Sequence, residues 1–107
     1  MPLLKGTLDA LVLKTLSWEP MHAFEIGRWL AERSAGELAV EDAALIQALH
    51  RLEERRLLTG EWGVTGNNRK ARYYRITASG RAHLKTETES LKNSVNALTA
   101  VLSARSA

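Results

Sequence analysis

The sequence predicts a mostly α-helical chain with one small β-hairpin, closed by a single long helix. Three observations carry this. Apolar residues recur at helical spacing in three separate stretches before residue 57. Residues 57–77 change character, with glycines, asparagines and paired tyrosines in place of the leucine stripes. From Ala78 onward leucine and valine return at alternating steps of three and four, with no glycine or proline after Gly80 to break the helix.

The elements follow in order. Leu8, Leu11, Val12, Thr15 and Leu16 form one stripe of a helix over 7–17, with Thr7 as its expected N-cap and Glu19-Pro20 as its stop. A second helix is expected from about His22 to Ser34, with Phe24, Ile26, Trp29 and Leu30 as its apolar positions. Glu37-Leu38-Ala39-Val40 alternates polar and apolar and predicts a short strand. A third helix should start at Glu41-Asp42, whose carboxylates suit free amides and the positive end of the dipole. Leu45, Leu49, Leu52 and Leu57 mark its buried side. Thr65-Gly66-Asn67-Asn68 then has turn chemistry between an apolar run, 57–64, and the strand-forming Arg72-Tyr73-Tyr74-Arg75-Ile76-Thr77. Three helices and such a hairpin make a winged helix-turn-helix. The last helix, 78–104, carries Leu84, Thr88, Leu91, Val95, Leu98 and Leu102 as a heptad seam. Residues 1–77 are thus expected to form the winged domain. Residues 78–107 are expected to pair with a second copy or, in part, to fold back on helix 1.

Composition narrows the function. At 107 residues the chain is one domain, with 45% hydrophobic and 25% charged residues and no cysteine. Disulfides, thiolate metal sites and thiol catalysis are thereby excluded. No stretch is long and apolar enough to span a membrane, and the N-terminal residues lack a secretory pattern, so a cytoplasmic location is expected. The net charge of +3 is unevenly placed: residues 50–75 hold seven basic side chains against three acidic, while residues 1–49 hold four against seven. A local excess of this kind suits an anionic partner. His22, His50 and His83 lie 28 and 33 residues apart, and no metal, phosphate-loop, dinucleotide or triad pattern accompanies them. No enzyme, metal or cofactor is expected. Core packing is the expected role of Trp18, Trp29 and Trp62, the last against Tyr74.

An ordered set of short pieces then points to a family. Leu4-Lys5-Gly6-Thr7-Leu8, Pro20-Met21-His22, Ala48-Leu49-His50-Arg51-Leu52-Glu53, Glu61-Trp62-Gly63, Asn67-Asn68-Arg69 and Arg72–Arg81 together resemble the PadR family of transcriptional regulators over residues 3 to about 84. The resemblance implies an N-terminal winged helix-turn-helix and a C-terminal homodimerisation helix. It also implies kinship with mostly bacterial repressors, some of them released from DNA by small ligands. The short C-terminal part resembles the subfamily with a single dimerisation helix. Two departures stand out. Ala23-Phe24-Glu25-Ile26 replaces the usual Gly-Tyr-Glu-Ile, and Ala43-Ala44-Leu45-Ile46-Gln47 replaces Gly-Ser/Thr-Leu-Tyr-Pro. Of the substituted side chains only Gln47 can hydrogen-bond a base edge, while Ala44 and Ile46 offer contacts to thymine methyls.

The function expected is a sequence-specific repressor that binds double-stranded DNA as a homodimer on a pseudo-palindromic operator. The alternative is a winged-helix dimer that binds protein. The candidate DNA contacts are Gln47, His50 and Arg51 on helix 3, Asn67, Asn68, Arg69, Lys70 and Arg72 in the wing, and Lys5 near helix 1. The solvated-helix alternative for Arg51 pairs it with Glu54. The candidate dimer residues are Leu84, Leu91, Val95, Leu98 and Leu102.

Overall fold

The computed structural model describes residues 6–105. Helix α1 (Thr7–Leu16) leads through a tight turn to α2 (Ala23–Arg33) and α3 (Asp42–Glu54). Strands β1 (Leu58–Val64) and β2 (Lys70–Ile76) form an antiparallel hairpin in the register Leu58↔Ile76 to Val64↔Lys70. Helix α4 (Ala78–Leu102) closes the chain. The arrangement is a winged helix-turn-helix followed by one long helix, as the sequence predicts.

The core lies where α1, α2, α3 and the base of the hairpin meet. Val12, Leu13 and Leu16 of α1, Ile26 and Leu30 of α2, and Leu45, Leu49 and Leu52 of α3 are all buried there with Leu58, Tyr74 and Ile76. Thr15 is wholly buried without cost to its hydroxyl, which donates to the Leu11 carbonyl at 2.8 Å.

Four local expectations need correction. The N-cap of α1 is Gly6, at φ 86°, and Thr7 is the first helical residue. The left-handed backbone there suits glycine rather than threonine. Glu41 is the N-cap of α3, but its side chain accepts no cap hydrogen bond. No strand forms over 37–40. Instead Ala35 and Gly36 turn through positive φ, and the Leu38 amide donates to Ser34 Oγ at 2.9 Å. The alternation survives only as burial, with Val40 packed on the core and Glu37 exposed. The hairpin takes its third partner elsewhere, from Met21, whose amide and carbonyl bridge Tyr74. Finally, Trp18 and Trp62 are exposed, at 62% and 67%; only Trp29 packs against the core.

The junction of α3, β1 and α4 is a tight knot. Arg56, at φ 60°, ends α3, and the Leu57 amide reaches back to the Leu52 carbonyl at 2.9 Å. Thr77 caps α4 by accepting from the Gly80 amide and donates its hydroxyl to the Arg56 carbonyl, each near 2.9 Å. A Cβ at Gly80 would overlap the Leu57 carbonyl, so this crossing needs glycine. Leu84 then packs on the core, and α4 runs on until its distal half leaves the rest of the chain, in a molecule 62 Å long and 28 Å by 21 Å across.

Candidate nucleic-acid interface

Helix α2 enters through a capping box. His22 Nδ1 accepts the Glu25 amide at 3.3 Å, and Glu25 Oε1 accepts the His22 amide at 3.2 Å. This fixes the first turn of α2 opposite the wing, and a groove of about 700 Å³ lies between α2, the front of α3 and the hairpin. Ile46 and His50 form its α3 wall. Thr65, Asn67, Arg69 and Lys70 form its rim on the wing. Phe24 and Arg28 close it from α2.

The wing tip is a hydrogen-bonded turn. Thr65 and Arg69 are joined by an amide–carbonyl hydrogen bond of 2.8 Å, and Asn68 occupies the left-handed position at φ 60° that asparagine tolerates. Asn67, Asn68, Arg69 and Lys70 are all exposed.

The structure divides the helix 3 candidates. His50 faces the groove beside Ile46. Gln47 is exposed outside the groove lining. Arg51 reaches to α1, where its guanidinium donates to Asp9 Oδ1 at 2.7 Å, so its partner is Asp9 rather than Glu54. Arg72 turns toward α3, where it pairs with Glu53 and lies over the rings of Trp62 at 6.0 Å and Tyr74 at 5.8 Å. Lys5 lies outside the described residues.

Phe24, Arg28 and Trp62 line the groove without having been candidates. Phe24 is 73% exposed, with the Arg28 guanidinium 5.6 Å from its ring centroid. A signal existed for Phe24: two residues from Ile26 is about 200° around a helix, so a buried Ile26 turns Phe24 outward. Trp62 offered no such signal.

The candidate dimer residues divide as well. Leu84 packs on the core of its own chain and Leu91 is half-buried. Val95, Leu98 and Leu102 are exposed, at 58%, 56% and 84%, with Val101 beside them at 76%.

Residues 12–86 match the Transcriptional regulator PadR-like family. The chain belongs to that family. This PadR-like protein is therefore a transcriptional regulator rather than an enzyme. Its fold is similar to a PadR family transcriptional regulator from Eggerthella lenta, with TM-score 0.78 and 28% identity over 94% of this chain and 86% of that one. It is also similar to a PadR-like transcriptional regulator from Bacillus cereus, with TM-score 0.79, 22% identity and coverage of 94% and 96%. A transcriptional regulator from Clostridium thermocellum gives TM-score 0.80 at 21% identity, covering 89% of each chain. An uncharacterized protein of Lysinibacillus sphaericus is 27% identical over 82 residues, 77% of this chain and 75% of that one. No helix among the described residues is long and apolar enough to cross a membrane. No group of three or more His, Asp or Glu among them is placed to hold a metal ion.

Proposed function

We propose that this PadR-like regulator binds double-stranded DNA as a homodimer and represses transcription from a pseudo-palindromic operator. The observation that carries the reading is the groove between α3 and the wing, rimmed by Arg69, Lys70 and Asn67 with His50 on its α3 wall. A helix of this kind reads base edges in the major groove, and a basic hairpin tip beside it holds phosphates or enters the minor groove. Gln47 is the base-reading side chain of α3, and Ile46 meets thymine methyls. In this reading residues 1–77 bind DNA and 78–107 join two copies through Val95, Leu98 and Leu102, which are exposed among the described residues.

Selection of bound sites from random duplex DNA tests this. Two inverted copies of one short half-site are expected. Exposed Phe24, Trp62 and Val64 favour a second reading, in which the groove docks a protein instead. Failure to retain any duplex at low salt would favour that second reading.

A further inference from the structure

Arg72 is the one wing cation whose guanidinium is engaged inside the described chain. It pairs with Glu53, the penultimate residue of α3, and both side chains are only about a third exposed, 32% and 31%. Its planar group lies over Trp62 of β1 and Tyr74 of β2, a cation–π arrangement on both strands of the hairpin. Trp62 stands opposite it in the sheet, and Gly60, the partner of Tyr74, leaves the space beside them that the guanidinium fills: any Cβ there would overlap it. Ion pair, stacking and slot hold one group from three sides. Arg69 and Lys70 line the same groove as Arg72 but are exposed, and neither makes an ion pair among the described residues.

We infer that Arg72 is a positioning residue: it locks the wing to the end of α3 and so sets where Arg69 and Lys70 stand relative to the helix that enters the groove of the duplex. This rests on the DNA-binding reading above. The phosphate contacts of the wing are then Arg69 and Lys70, and Arg72 makes none. Wing and recognition helix must meet adjacent grooves of one duplex at once, so their mutual angle decides whether both sets of contacts form together. Glu53 shares the role, because its negative charge is what holds the Arg72 guanidinium at the end of α3.

That charge makes the test decisive, because the two roles for Arg72 predict opposite signs for Glu53→Gln. Affinity of the full chain for a mixed-sequence duplex of about three helical turns is measured by fluorescence anisotropy from about 50 to 200 mM salt. If Arg72 positions the wing, Glu53→Gln and Arg72→Met each weaken binding roughly three- to fivefold per subunit. The salt slope of both variants stays that of the wild type, and both move the Trp62 indole N–H resonance, which reports the ring beneath the guanidinium. If Arg72 instead touches phosphate, Glu53→Gln frees it and tightens binding, while Arg72→Met lowers the slope by about 0.9 per subunit. Either of those results overturns the positioning role and leaves the DNA-binding reading intact. A wild-type chain that binds no duplex overturns the DNA-binding reading itself, and the positioning role falls with it.

Discussion

Tyr74 connects three parts of the molecule through one residue. Its backbone bridges Met21, its strand neighbour is Gly60, and its ring lies beneath the Arg72 guanidinium. Burial pushes its hydroxyl above the ordinary tyrosine value of 10.0, against the opposing charge of Arg72 and with Glu53 adding to the rise. A raised value means that the folded state favours the neutral phenol. That contribution is complete below about pH 10 and is lost as pH climbs through the raised value. Melting temperatures across about pH 9 to 11 should therefore fall more steeply for the wild type than for Tyr74→Phe. Parallel curves would mean that Tyr74 titrates alike in both states. On α3, Gln47→Ala should cost about 1–3 kcal/mol at a single base pair of the selected site and spare the others. A uniform loss over all base pairs would remove Gln47 from base readout. At this scale the sequence told which side chains are charged but not whom they meet. Arg51 and Asp9 are 42 positions apart, and Glu53 and Arg72 are 19 apart. Only the fold brings either pair together.

Among the elements, α4 was the most legible and the least complete. Its heptad seam reads directly from Leu84 to Leu102. The division of that seam does not, because one apolar stripe serves equally against the same chain or another. The structure uses Leu84 internally and leaves Val95, Leu98 and Leu102 exposed among the described residues. Fully burying a leucine is worth roughly 1.5–3 kcal/mol, so a few such side chains per subunit decide association. Leu98→Asp with Leu102→Asp should yield a folded monomer by light scattering and circular dichroism, since neither side chain is buried in its own chain. An intact dimer would place the interface elsewhere. The segment 37–40 teaches the converse. It alternates like a strand, but Met21 takes the pairing with Tyr74 and the segment follows Ser34 and Gly36 around a turn. Alternation records which side chains face inward; a strand also needs a neighbour with free backbone groups.

For the whole molecule, the proposed dimer fixes geometry more firmly than sequence preference. Two α3 helices can enter one face of straight duplex only if they stand about 34–36 Å apart, one helical turn. Five extra base pairs between selected half-sites rotate one by about half a turn and should abolish cooperative binding, whereas single base changes under Ala44 and Ile46 should cost little. Retained cooperative binding across that insertion would contradict a rigid dimer. The central claim, that the wing and α3 face a DNA backbone, is tested most directly by the salt dependence of duplex binding in wild type, Arg69→Ala and Lys70→Ala. The account predicts a steep loss of affinity with salt, and a slope that flattens by about 0.9 per subunit for each cation removed. A wild-type slope near zero, or slopes that both substitutions leave unchanged, would contradict it.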